Sequence, residues 1–148
     1  MEKDLTLAFE FFNEIGIIGQ LASNEMQRAM PHGLTQSQFS VLNWFCRVDD
    51  QATPGRLARA FQVSGGAMTN TLGKLAAKGF VRITPDPESG RSKIVRLTAA
   101  GRKARDEAIA ATGPSLTGFL DRFPRSRLER ALPLLRAVRA YLDEARDS

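Results

Sequence analysis

The sequence predicts a mainly α-helical chain with one small β-hairpin. Three observations carry that reading. Apolar residues recur at three- and four-residue spacing along most of the chain, the period of a helix face. Ser and Thr caps, with Pro and Gly breaks, divide that pattern into segments of helical length. One stretch only, "FVRITPDPESGRSKIVRLT" from Phe80 to Thr98, alternates apolar and polar residues as half-buried strands do.

The first helix is expected from Lys3 to about Ala29. Leu5, Ala8, Phe9, Phe12, Ile15, Leu21, Ala22 and Met26 approximate one face, and Ile17 with Ile18 widens it toward a second surface. "MPHGL" stops this helix, because Pro31 disfavours helix at Met30 and Gly33 supplies a turn. Thr35 then reads as an N-cap, with Gln38 completing a capping box. The helix that follows carries Phe39, Leu42, Trp44, Phe45 and Cys46 and breaks at "VDDQA". Thr53-Pro54 reads as a cap followed by proline at the first helical position, where the missing N–H costs nothing. Leu57, Ala58 and Phe61 give this short helix its buried side.

"QVSGG" is a tight turn, and Ser64 caps a helix running to about Lys78. Met68, Leu72 and Leu75 should face inward, leaving Thr69, Asn70, Gly73, Lys74 and Ala77 outward, and Gly79 ends the helix. The hairpin comes next, with Pro85, Pro87 and Gly90 marking its turn region and Arg91 near its tip. Thr98 caps a further helix, in which Gly113-Pro114 is expected to cause a kink or break. Ser126 is expected to cap the last helix, with Leu128, Leu132, Leu135, Val138 and Leu142 on one face and Pro133 bending it. The middle of the chain is therefore a helix-turn-helix with a basic hairpin beside it, which is a winged helix.

Composition narrows the function. At 148 residues, with 43% apolar and 25% charged, the chain has the size and core content of one domain. No window reaches the 18 or so uncharged apolar residues that a membrane span requires. "MEKDLTLAFEFF" mixes charges with apolar residues and lacks a small-residue cleavage site, so no leader is expected. Cys46, the single cysteine, fits a reducing compartment, and a cytoplasmic protein is expected. The net charge of +5 is unevenly spread. Pro54 to Arg105 holds eleven Lys and Arg against Asp86 and Glu88, a net +9, while the remaining residues carry a net −4. A basic middle between acidic ends suits a polyanion.

Catalysis is hard to build from these residues. One histidine, one cysteine and no carboxylate pair in an apolar setting leave no dyad or triad, so no catalytic residue is assigned. A metal site lacks a second His or a Cys pair, and no cofactor is expected. "GAMTNTLGK" fails as a phosphate loop, with glycines too far apart and Leu75 where Ser or Thr should follow the lysine. His32, in a turn, reads as a loop histidine without a special task, and Cys46 reads as a buried structural thiol.

DNA binding is easy to build. The outward face of the Ser64–Lys78 helix is small and polar, and its start, Ser64-Gly65-Gly66, can approach phosphates through backbone N–H groups. Thr69 and Asn70 can reach base edges, and Lys74 a base or a phosphate; the same residues also suit a plain solvated face. Arg91 suits a narrow minor groove, and Lys93 and Arg96 suit phosphates.

"LTQSQFSVLNWF", "TPGRLARAFQVSGGAMTNTLGKLAAKGFVRI" and "DPESGRSKIVRLTAAGRKA" together resemble the MarR family of bacterial transcriptional regulators. The resemblance implies a homodimer in which the first and last two helices of each chain intertwine and the winged helices bind a pseudo-palindromic double-stranded operator. It implies one domain over 1–148, a winged helix-turn-helix over 34–104, and dimerisation helices over 3–30 and 105–146. The terminal helices agree, since they carry more apolar surface than a winged helix needs. Family members often act as repressors relieved by small aromatic or phenolic ligands, and Phe11, Phe12, Met26, Met30, Phe39 and Trp44 suit either such a cleft or the core. Oxidant-sensing members carry a cysteine near the start of the first helix, which this chain lacks. The chain departs from the family pattern at the wing, where Ser89-Gly90 precedes Arg91 in place of an acid, and at Gly73, where Asp is common. The alternative reading is a winged helix whose basic face binds an acidic protein partner rather than DNA.

Overall fold

The computed structural model describes residues 1–146. In chain order these form α1 (Glu2–Ala29), α2 (Gln36–Arg47), β1 (Gln51–Ala52), α3 (Pro54–Phe61), α4 (Gly65–Ala77), β2 (Val81–Asp86), β3 (Ser89–Leu97), α5 (Ala99–Arg122) and α6 (Arg125–Arg146). Local chemistry sets most of these starts. Thr35 accepts from the Gln38 N–H while Gln38 reaches back to the Thr35 N–H, so the capping box forms. Thr53 accepts from Arg56, Ser64 from Ala67 and Thr98 from Gly101, each with a side-chain oxygen on an otherwise orphaned backbone N–H.

The sheet has strand order β1-β3-β2 and is antiparallel throughout. β1 was not foreseen; two residues carry no period, and Gln51 and Ala52 are strand only because they pair with Arg96 and Val95. Leu34, Val41, Leu42, Phe45, Leu57, Met68, Leu72, Leu75, Val81 and Val95 form the centre of the core, between the helices and the inner face of the sheet. Cys46 is half-buried rather than buried. Met30 and Trp44 pack against the core, while Phe12 is exposed.

Residues Met1–Thr112 form one compact unit, and a second begins at Gly113. Of the kink or break expected at Gly113-Pro114, the break does not occur: α5 runs through it to Arg122. One proline removes a single bond from a long ladder, and the hydroxyls of Thr112 and Thr117 donate to the carbonyls of Ile109 and Gly113 nearby. The break falls instead at Phe123-Pro124, where a residue preceding proline is pushed out of the helical region. Ser126 is therefore not a cap but lies inside α6, which begins at Arg125 and continues through Pro133. Neither α1 nor α6 has a buried residue.

Candidate nucleic-acid interface

α4 presents two chemically distinct sides. Met68, Leu72 and Leu75 are buried, and Gly65, Gly66, Thr69, Asn70, Gly73, Lys74 and Ala77 are exposed, as the helical period requires. Its N-terminus is set by the α3–α4 turn, in which Gln62 takes a left-handed conformation (φ 54°, ψ 44°) and Val63 N–H bonds to the Ala58 carbonyl at 3.0 Å. Its C-terminus ends on Gly79 (φ 78°), with Phe80 N–H bonded to the Leu75 carbonyl at 3.0 Å.

The glycines of this helix are informative. A Cβ at Gly65, Gly66 or Gly73 would meet nothing within 4 Å. The chain's own packing therefore does not require glycine at any of them, although a mid-helix glycine costs about 1 kcal/mol relative to alanine. Their effect is to leave a smooth surface for close approach. Beside it lies a depression of about 240 Å³ between α2 and α4, whose lining includes Ser37, Ser40, Phe61, Ala67 and Thr71. The sequence reading did not single out Ser37 and Ser40; their three-residue spacing just past the Thr35 cap was the available signal.

The hairpin departs from a simple ladder. Val81 to Pro85 pair in register with Leu97 to Lys93, but Asp86 pairs with Ser89, so Gly90, Arg91 and Ser92 bulge out of the ladder opposite Pro85 and Asp86. The tip itself is the Pro87-Glu88 turn, fixed by Asp86 Oδ1 accepting from Glu88 N–H at 3.0 Å. Arg91 thus stands on β3 in the bulge behind the tip, exposed. Proline at 85 has no N–H to pair, which lets the opposing strand detach there. Lys93 is exposed opposite Pro85. Arg96 is committed to the sheet, donating from Nε to Gln51 Oε1 at 3.2 Å and from Nη1 to Thr84 Oγ1 at 3.1 Å.

Arg56 at the start of α3 pairs with Asp49 at 2.8 Å and stacks over Trp44 at 5.0 Å. The hydrogen bond from Arg56 holds the Asp49 carboxyl below its ordinary value. Among the described residues no group of three His, Cys, Asp or Glu is placed to hold a metal ion, and no helix is long and apolar enough to cross a membrane.

A recognition-type helix, a preceding short helix joined by a tight turn, and a three-stranded sheet ending in a basic wing define a winged helix-turn-helix protein. The model of the MarR family matches residues 32–92. The chain is 31% identical over 117 residues to the multiple antibiotic resistance protein MarR of Escherichia coli, covering 72% of this chain and 79% of that protein. The chain belongs to the MarR family of transcriptional regulators, a family of regulators and not of enzymes. Among solved structures, a mutant E. coli MarR in complex with operator DNA superposes with a TM-score of 0.75 at 26% identity, over 87% of this chain and 93% of that one. A MarR family regulator from Streptomyces coelicolor shares the fold, with a TM-score of 0.78 at 19% identity over 93% of this chain and 96% of that one.

Proposed function

We propose that the protein is a cytoplasmic homodimer that binds a pseudo-palindromic operator, acting as a repressor that a small aromatic or phenolic ligand releases. The observation that carries the DNA-reading part is the exposed face of α4, with three glycines that the chain's own packing does not require. In this reading Gly65 and Gly66 let the backbone N–H groups at the helix start approach a phosphate, Thr69 and Asn70 read base edges, and Lys74 contacts a base or phosphate. Arg91, raised by the bulge, enters the adjacent minor groove, and Lys93 neutralises phosphate. Ser37 and Ser40 add hydroxyl donors beside α4.

The dimer is supported by α1 and α6. Leu5, Phe9, Leu21 and Tyr141 are 62–80% exposed among the described residues. A surface of that kind calls for a partner, and a second copy supplies a two-fold match to a two-fold operator, the reading helices lying one DNA turn or roughly 34 Å apart. The dimerisation helices are taken as 3–30 and 105–146 and the reading head as 34–104. The ligand is taken to bind among half-buried apolar side chains such as Phe11, Met26 and Phe39. Binding to the promoter beside its own gene and to random fragments, titrated from about 50 to 200 mM salt, tests the reading. Preference for that promoter, loss of affinity in Arg91→Ala, and release by a small phenolic compound are the expected results. Weak binding that is equal on all fragments and indifferent to Arg91 overturns it and points to an acidic protein partner.

A further inference from the structure

The link between α1 and α2 is held more tightly than a surface loop needs to be. His32 and Gly33 both take left-handed backbone conformations, with φ of 60° and 63°. For a histidine that conformation costs free energy and persists only where the surroundings impose it. Contacts from α1, from the end of α4 and from α5 do so. Gln27 on α1 donates to the Leu34 carbonyl and accepts from the Gln36 N–H, both at 2.9 Å. The His32 ring hydrogen-bonds through Nε2 to Glu107 on α5 and stands edge-on to Phe80 at 5.7 Å. Lys78, the C-terminal cap of α4, donates its ammonium to the His32 carbonyl at 2.7 Å.

Lys78 is the unexpected member. Lys74, one turn earlier on the same basic helix, is exposed, whereas Lys78 is half-buried with its charge on a main-chain oxygen 46 residues away in sequence. A Cβ at Gly33 would lie 3.3 Å from its Nζ, so the glycine leaves room for the ammonium. A charge-assisted bond of this kind is about twice as strong as a neutral one, and it ties the end of the helix that faces DNA to the segment emerging from α1.

We propose that Lys78 and the His32-Gly33 link form the joint that fixes the angle of α4 to α1, which makes Lys78 a positioning residue for operator reading rather than a phosphate contact. The inference rests on the reading of α4 as the DNA-reading helix and α1 as a dimerisation helix. With the joint intact, the two reading heads of a dimer have a defined spacing. Without it, they reach half-sites at several spacings and bind each less well.

The test uses the full chain with Lys78→Met, which keeps the stem and removes the donor, and Lys78→Arg, which keeps a donor. Each is titrated on the preferred promoter site and on copies with one base pair inserted or deleted between half-sites, a rotation of about a tenth of a turn. Lys78→Met is expected to weaken the preferred site about tenfold, the scale of a lost charge-assisted bond. It should also flatten the penalty for altered spacing while leaving the salt dependence as in the native chain; Lys78→Arg restores most of both. Gln27→Ala, which releases the link from α1, gives the same flattening and covers the case that Lys78→Met folds poorly. A salt slope reduced by about 0.9 per protomer with spacing preference intact makes Lys78 a phosphate contact and overturns the proposal. Unchanged spacing preference in both variants overturns it as well. Absence of specific binding by the native chain is a different failure, that of the parent reading.

Discussion

Gly101→Ala is a severe test of the packing described here, because it adds one methyl group at a site with no space. A Cβ at Gly101 would lie 2.0 Å from the Phe80 carbonyl oxygen and 2.9 Å from Leu97 Cδ1. The approach is close because the start of α5 is laced to the end of α4: Thr98 Oγ1 donates to the Gly79 carbonyl at 2.7 Å and Thr98 N–H to the Phe80 carbonyl at 3.2 Å. A carbon and a carbonyl oxygen settle at about 3.3 Å or more, so α5 or the Phe80 backbone must move by over an ångström. That movement breaks the Thr98–Phe80 bond, worth about 1 kcal/mol, and adds overpacking strain of about 1–3 kcal/mol. Alanine's better helix propensity returns about 1 kcal/mol, leaving a net loss of about 2 kcal/mol. Urea unfolding at fixed protein concentration, needed because a dimer's stability depends on concentration, reads this directly. Gly73→Ala is the control: its Cβ meets nothing, so the same substitution is expected to stabilise by up to about 1 kcal/mol. Equal stability of Gly101→Ala and the native chain, within about 0.5 kcal/mol, would refute the close approach of α5 to the α4–β2 junction.

Other consequences are local. Thr35→Ala removes one half of the capping box and should cost about 1 kcal/mol of stability, read by the same urea titration. Asp49→Asn should lower the urea midpoint at neutral pH. Its folded carboxyl titrates below the unfolded one, so its stabilisation is complete above about pH 5 and lost as pH falls through the folded value; the gap between the two chains should close on acidification. Leu21→Asp places a charge on the exposed apolar face of α1 and is expected to convert dimer to monomer in sedimentation equilibrium.

Much of the fold was legible because its signals are local. Thr35, Thr53, Ser64 and Thr98 all cap as their positions in sequence suggest, each hydroxyl accepting from the backbone N–H three residues on, whereas Ser126 does not because α6 already begins at Arg125. The outward face of α4 followed from the helical period alone. β1 was invisible because its strand character resides in the partner strand, and the three-residue bulge that carries Arg91 leaves no mark on the alternation. Gly113-Pro114 does not end α5, and the helix ends instead before Phe123, the residue preceding Pro124. Lys78 and His32 could not have been assigned from sequence, because their partners lie 46 and 75 residues away.

The basic middle of the chain is smaller, as a DNA-facing charge, than its eleven Lys and Arg suggest. Arg56 is paired with Asp49, Lys103 with Glu107, and Arg105 with Asp106 while it also donates to Asn43. Arg96 is held within the sheet and Lys78 at the α1–α2 link. That leaves Arg59, Lys74, Arg82, Arg91, Lys93 and Arg102, all exposed and without an ion pair among the described residues. Each phosphate neutralised on duplex DNA contributes about 0.9 to the fall of log K with log salt, so a dimer using all of these has a ceiling near 11. If only Lys74, Arg91 and Lys93 of each protomer displace counterions from DNA, Arg91 from within the minor groove, the slope is about 5. A salt titration on the preferred promoter site discriminates these values, and the low one is expected, because the contacts proposed above lie on α4 and the wing. A slope above about 11 would show that internally bonded cations leave their partners on binding, and the assignment of Arg96 and Lys78 to the protein's own framework would then fall.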